Sequence, residues 1–433
     1  MKRPALSTLI LTAVVIILAA GLIGTLFFLR GQPAPQRGFV PLVEVAPMEP
    51  DSSQWGLNFP NQYSTFQLTV GYDTQTTYGG AKPISKLEQD PRLLTLFAGM
   101  AFSKDYKEDR GHTWALQDVQ ETARVNETTP GTCYSCKSAS TPKLWAEMGP
   151  IAFYETKFFD LGDRVTTPVG CANCHEANTM RLIVTNPALQ QALDEQGKDW
   201  QTYTRQEMRS LVCANCHVEY YFKGEGKHLT FPWSNGTGIE DIVKYYADTG
   251  FADWQYPDAG TPMVKIQHPE YELYTADSTH FRAGVACADC HMPYTRNGAA
   301  KFSTHDVMSP LLRAEVACGA CHADVTYVTD RVKRIQDQVH ETLIATEDAI
   351  IAAIDAIKAA AADPNADAAA LDEARALHRE AQLRWDFVAA ENSMGFHNPT
   401  EALRILARAT DQARQAQLKA IQASPQALLA KAQ

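Results

Sequence analysis

The sequence predicts a mainly α-helical protein with little β structure and long C-terminal helices. Three observations point there. Residues 51–325 are rich in turns and short segments and hold all ten cysteines. From about Thr326 the chain turns Ala-rich, with Ile344, Ile350, Ile351, Ile354 and Ile357 at helical spacing. Breaks at Asp363-Pro364-Asn365 and Met394-Gly395 then divide this stretch into three helices, the second from Ala366 to about Ala390 and the third after Pro399.

The N-terminus comes first in order. Met1-Lys2-Arg3 precedes an apolar run from about Leu9 to Leu29, closed by Arg30. About 20 apolar residues match one crossing of a bilayer core. A secretory signal has an apolar region of about 7–15 residues and a small-residue cleavage site, for which Ala19-Ala20-Gly21 would serve. Residues 1–31 are therefore expected to be a signal-anchor or a signal peptide. Either one leaves Lys2 and Arg3 inside and sends the rest out of the cytoplasm. Residues 32–50, with Pro33, Pro35, Pro41, Pro47 and Pro50, read as a semi-extended linker.

Composition limits the partners. The 433 residues carry 39 Lys plus Arg against 50 Asp plus Glu, a formal charge of −11, with no basic run. That excludes a nucleic-acid binder, whose affinity rests on basic surface.

The cysteines fall as five pairs: Cys133/Cys136, Cys171/Cys174, Cys213/Cys216, Cys287/Cys290 and Cys318/Cys321. Each is C-x-x-C, and their uneven spacing marks a recurring cofactor motif rather than a structural repeat. Four are followed at once by histidine, at His175, His217, His291 and His322. C-x-x-C-H is the attachment signature of c-type haem: two thiols bond the porphyrin and the next residue offers its imidazole to the iron. Zinc sites do not require a histidine directly after each pair, and redox C-x-x-C units usually occur singly.

The pair Cys133/Cys136 is followed instead by Lys137. An amine must be neutral to donate its lone pair, which burial and the iron's charge favour. Axial-ligand identity is a main control on haem chemistry, so this site is the candidate for catalysis and the other four for electron relay. A bis-histidine relay haem needs a second histidine from elsewhere. Eight of the 12 histidines remain for that: His112, His228, His268, His280, His305, His340, His378 and His397. His340 and His378 lie within the Ala-rich helices and read as surface residues. His397 sits in the break before Pro399, where a loop can reach back to a haem.

One C-x-x-C-K followed by four C-x-x-C-H resembles the ammonia-forming pentahaem cytochrome c nitrite reductases. So do Cys213-Ala-Asn-Cys-His217-Val-Glu219-Tyr220-Tyr221-Phe222, Arg110-Gly111-His112 and Lys265-Ile266-Gln267-His268-Pro269. The likeness spans roughly residues 60–400. It implies a pentahaem catalytic domain over 51–325 and a long-helix region over 326–433 that contributes one haem ligand and a homodimer interface.

The same resemblance implies nitrite reduced to ammonium above Lys137, with Arg110, Tyr220 and His268 around the substrate. His268 is expected to relay protons near neutral pH. Calcium would be held by the side chains of Glu219 and Gln267 and the carbonyls of Tyr220 and Lys265, an all-oxygen set suited to a hard cation. The distal iron ligands would be His112, His280, His305 and His397, with His112 on the His217 haem, His305 on the His175 haem, His397 on the His291 haem and His280 on the His322 haem. His228 is left as a structural or channel residue. The resemblance also implies a membrane-associated multihaem quinol dehydrogenase as electron donor. The protein would lie on the periplasmic side of the inner membrane, anchored there or soluble after cleavage. A pure electron-transfer cytochrome, and a related haem enzyme acting on hydroxylamine or sulfite, are the alternatives.

Overall fold

The computed structural model describes residues 40–425 except position 72, together with positions 11, 14–19, 21–22 and 24–25. The candidate membrane segment Leu9–Leu29 lies in large part outside the described residues, as do linker residues 32–39 and the tail from 426. Among the described residues no helix is long and apolar enough to cross a membrane.

From Val43 onward the chain forms one compact unit. The end of the Pro-rich segment belongs to it: Asn58 accepts from the Val43 N–H at 3.0 Å and donates to the Val43 carbonyl at 2.9 Å. Among the described residues, short helices and turns then alternate with four two-stranded antiparallel ribbons. Three ribbons bear directly on the functional residues. Tyr221–Lys223 pairs with His228–Thr230 just after the third cysteine motif. Trp254–Gln255 pairs with Pro262–Met263 and leads into the Lys265–Pro269 segment. Tyr294–Asn297 pairs with Ala300–Ser303, between the fourth motif and His305.

The last elements among the described residues are three long helices: Val325–Ala361, Ala368–Ala389 and Pro399–Ala423. Each has a side-chain N-cap that satisfies otherwise unpaired first-turn N–H groups. Asp324 accepts from Tyr327, Asp367 from Ala369 and Ala370, and Asn398 from Glu401, with Pro399 at the first helical position. Ile350, Ile354 and Ile357 are fully buried in one cluster with Ile405 and Leu406, and many buried alanines of the three helices belong to it. The alanine stripes are thus used within the chain, where small side chains let the helices approach closely.

The loop between the second and third helices is tight. Gly395 has φ +76°, and a Cβ there would lie 2.7 Å from Val339 Cγ2 on the first long helix. Only glycine accepts both the left-handed backbone and the close approach.

Candidate functional site

The cysteine motifs sit on single helical turns, among them Gly131–Tyr134, Cys171–Asn173, Val212–Asn215 and Cys287–His291. The residue after the second cysteine closes the turn with its own N–H: His175 to the Cys171 carbonyl at 3.0 Å, His217 to Cys213 at 2.9 Å and His322 to Cys318 at 2.9 Å. Lys137 bonds instead to the Tyr134 carbonyl at 3.0 Å, a shorter closure. One turn therefore gathers two thiols and the following side chain around a common point.

None of the ten cysteines is in a disulfide. Burial pushes Cys133 up to about 11 and Cys174 and Cys290 up to about 12, whereas hydrogen bonds between neighbouring thiols lower Cys136 and bring Cys287 down to about 6. Among the described residues no group of three His, Cys, Asp or Glu side chains forms a metal-holding cluster.

The histidines carry the strongest geometric pattern. His112 faces His217 with ring centroids 6.2 Å apart, His175 faces His305 at 6.2 Å, His291 faces His397 at 6.3 Å and His280 faces His322 at 6.4 Å. Two imidazoles on opposite sides of one metal, with bonds of about 2 Å and about 1.1 Å more to each ring centre, sit roughly 6.3 Å apart. The residues present therefore fit a haem iron between each pair. All eight histidines, and the eight cysteines of the four C-x-x-C-H motifs, line one connected cavity of 1910 Å³. That exceeds the roughly 300–1,000 Å³ a single small ligand needs. Burial lowers His112, His291 and His305 to about 4, so these rings are neutral at pH 7, the form that ligates a metal.

The motifs also neighbour one another in a definite order. The Cys136 and Cys216 thiols are within hydrogen-bonding reach, as are Cys213 and Cys287. Cys290 lies close enough to Cys318 and Cys321 to feel their charge. The His217 motif is thus a hub between the Lys137 motif and the His291 motif, with the His322 motif beyond.

Around Lys137 the structure gathers an ionic cluster. Asp109 is held down at about 2: burial opposes its charge, but Lys137, His268, Lys86 and Arg124 outweigh it. His268 is lowered to about 4, chiefly by burial. Its Nδ1 is buried without a hydrogen-bond partner, and its ring is 6.5 Å from that of His217. This value lies below the near-neutral range expected from the residue type, because burial penalises the imidazolium. Tyr220 is pushed well above a free phenol by burial, with the charges of Cys136 and Cys133 adding, which places it beside the first motif. Arg110 lines the central cavity and is turned onto Asp118, with Nε 2.9 Å and Nη2 2.5 Å from Oδ1. Its guanidinium also stacks 4.3 Å from the Trp114 ring. Among the described residues no direct bond joins Arg110 to Tyr220 or His268.

The expected calcium ligands also converge. Glu219 is fully buried, and its oxygens accept from Tyr246 Oη and the Gln267 N–H, each at 2.6 Å. Gln267 Nε2 lies 3.0 Å from the Lys265 carbonyl. Beside them Glu272, 1% exposed, keeps Oε2 without a hydrogen-bond partner. Burial holds both carboxyls above their usual range, Glu272 at about 8. Two buried carboxylates with an oxygen-rich surround suit a hard cation.

Some residues depart from the sequence expectations. His378, expected at the surface, is fully buried and bonded to Thr261 at 3.1 Å and Gln382 at 3.2 Å. Its helix packs against the rest of the molecule on more than one side. His340 is half-buried against the Tyr78 ring at 5.0 Å, and His228 pairs with Glu155 at 2.9 Å. Sequence reasoning missed Asp109, Glu270 and Glu391. Adjacency to Arg110-Gly111-His112 is a signal for the first and adjacency to Lys265-Ile266-Gln267-His268-Pro269 for the second; Glu391 carries none.

A mainly helical frame with four histidine pairs and four C-x-x-C-H motifs lining one cavity, and a fifth C-x-x-C beside them, defines a multihaem c-type cytochrome. Residues 51–432 match the cytochrome c552 family, and the chain belongs to it. It is 40% identical to cytochrome c-552 of Parabacteroides distasonis over 87% of this chain and 77% of that one. It is 38% identical to the cytochrome c nitrite reductase subunit NrfA of Nitratidesulfovibrio vulgaris over 81% of this chain and 74% of that one. The solved cytochrome c nitrite reductase of Desulfovibrio desulfuricans superposes with a TM-score of 0.85 at 34% identity, over 90% of this chain and 89% of that one. That catalytic subunit has two calcium sites.

Proposed function

We propose that this chain reduces nitrite to ammonium at a haem attached through Cys133 and Cys136, with four further c-type haems relaying electrons. The observation that supports it most is an asymmetry. Four motifs end in a histidine facing a second histidine at 6.2–6.4 Å, whereas the fifth ends in Lys137 with Asp109 and His268 around it. In this reading Lys137, His175, His217, His291 and His322, together with His112, His280, His305 and His397, would hold the haem irons. The haems would supply one-electron steps and an iron to receive nitrite.

Turning nitrite into ammonium takes up six electrons and eight protons and releases two waters. Arg110 holds its Nη1 clear of the Asp118 contact and can donate to the anion's oxygens as charge builds on them. His268, neutral through burial, donates from one ring nitrogen and accepts a replacement proton at the other. The Tyr220 hydroxyl stays protonated and is a further donor. Lys86 and Arg124 make the approach positive and favour an anion despite the acidic chain. Glu219, Gln267 and the carbonyls of Tyr220 and Lys265 would hold a calcium ion that braces Tyr220 and His268.

The long-helix region 326–433 would supply a homodimer face, supported by exposed Tyr327 and Leu418. The N-terminal segment 1–31 would send the enzyme to the periplasmic side of the inner membrane, anchored there or soluble after cleavage, and a membrane-associated multihaem quinol dehydrogenase would feed it electrons. The test is anaerobic incubation of the purified holoprotein with reduced viologen and nitrite, reading ammonium. Production well above a haem-free control is expected. Ammonium at the control level would leave an electron carrier without a substrate site.

A further inference from the structure

The four histidine pairs differ in what stands behind each ring. His175 Nδ1 meets the Met180 carbonyl at 2.9 Å, His291 Nδ1 the Met308 carbonyl at 3.0 Å and His305 Nδ1 the Ser303 carbonyl at 2.8 Å. His397 Nδ1 instead meets a carboxylate, Glu391 Oε2, at 3.0 Å. A carboxylate only accepts, so His397 donates from Nδ1 and keeps Nε2 for a metal. The Glu391 side chain is fully buried, and its ion partner among the described residues is His397 itself. It is held rigidly, accepting from the Ser393 N–H at 3.0 Å, the Ser393 hydroxyl at 3.0 Å and the Gly395 N–H at 2.5 Å. Glu270 lies near His217 Nδ1, but at 3.7 Å, and its Oε2 makes no hydrogen bond.

We propose that Glu391 is a positioning residue that fixes the His397 ring and, by its negative charge, lowers the reduction potential of the haem held between His291 and His397. The inference rests on the reading of His397 as an iron ligand. A hydrogen bond from the far nitrogen to a carboxylate makes an imidazole a stronger donor, and the added negative charge favours ferric over ferrous iron. Reduction there adds one electron and breaks no bond, so Glu391 acts on the equilibrium alone. The His291 motif stands between the hub at His217 and the His322 motif. A depressed potential at that point keeps electrons on either side of it, near the substrate site or at the far end.

The experiment is an EPR-monitored redox titration of the five-haem protein and its variants, with haem content measured in parallel. Glu391→Gln keeps the size and an accepting oxygen but removes the charge. It should move one low-spin midpoint upward and leave the other low-spin midpoints in place. Glu391→Asp keeps the charge and should stay nearer wild type. His397→Ala should convert one low-spin signal to high spin, which checks the ligand reading separately. If His397→Ala does this while Glu391→Gln moves no midpoint, or Glu391→Asp moves it as far as Glu391→Gln, the tuning role is overturned. If His397→Ala leaves every low-spin signal intact, the ligand assignment fails and the inference falls with it.

Discussion

Lys265 Nζ lies 2.9 Å from Asp386 Oδ1, and both side chains are 1% exposed. The same carboxylate accepts the Ile266 N–H at 2.9 Å. The rings of Phe97, Phe102 and Tyr106 surround the ammonium at 4.9–5.5 Å. One aspartate on the second long helix thereby fixes the segment that carries Gln267 and His268.

Asp386→Ala removes one partner of this pair and strands a buried ammonium, which costs about 3–5 kcal/mol. The melting temperature should fall by several degrees, and nitrite turnover should fall with it because His268 loses its backing. Thermal denaturation followed by haem absorbance checks this. An unchanged melting temperature would show that the pair is not the tie.

Lys137→His should keep all five haems, since both thiols remain and imidazole ligates iron well. Turnover should still fall by tenfold or more, on the order of 1.4 kcal/mol in the barrier, because the amine's electronic contribution is gone. Haem content and steady-state rate, measured together, decide it. A wild-type rate would remove Lys137's special role.

His268→Ala and His280→Ala should separate by spin state. The first removes a donor next to Lys137 and should cut turnover while leaving the low-spin haems as they were. The second removes the ring facing His322 and should create one additional high-spin iron while nitrite still binds. Loss of nitrite binding in His280→Ala alone would relocate the substrate site.

Calcium removal should loosen the loop on which Tyr220 and His268 depend. Chelator-treated protein should melt lower and turn over more slowly, with recovery on added calcium. Glu219→Gln should imitate the treated protein and ignore added calcium. A chelated protein identical to the untreated one in both readings would dismiss the site.

His378 supplies a pH test. Burial lowers it from 6.5 to about 4, with only a partly offsetting hydrogen bond to the Gln382 side-chain oxygen. A depressed histidine leaves the unfolded chain binding more protons between those values, so stability is present above pH 6.5 and is lost as pH falls towards 4. The whole window is worth about 2–3 kcal/mol. The melting-temperature advantage of wild type over His378→Gln should therefore shrink as pH drops from 6.5 to 4. A gap independent of pH would mean that His378 does not titrate in this way.

Local chemistry was readable in the chain itself. Two thiols and the next residue share one turn, so C-x-x-C-H and C-x-x-C-K are statements about a single site. The three long helices were equally readable, because periodic isoleucine and the breaks at Pro364 and Gly395 act over a few residues. The family resemblance implied which ring faces which, and tertiary structure alone decided what stands behind each one. His112 meets His217, and Asp386 meets Lys265, across separations that no local pattern encodes. Periodicity also failed for His378, since a helix packed on more than one side buries residues that a one-faced reading leaves in water. Glu391 shows the same limit most sharply. Its charge matters only because the turn at Gly395 folds His397 back onto it, and a hydrogen bond made by a fold has no signature in the order of the residues.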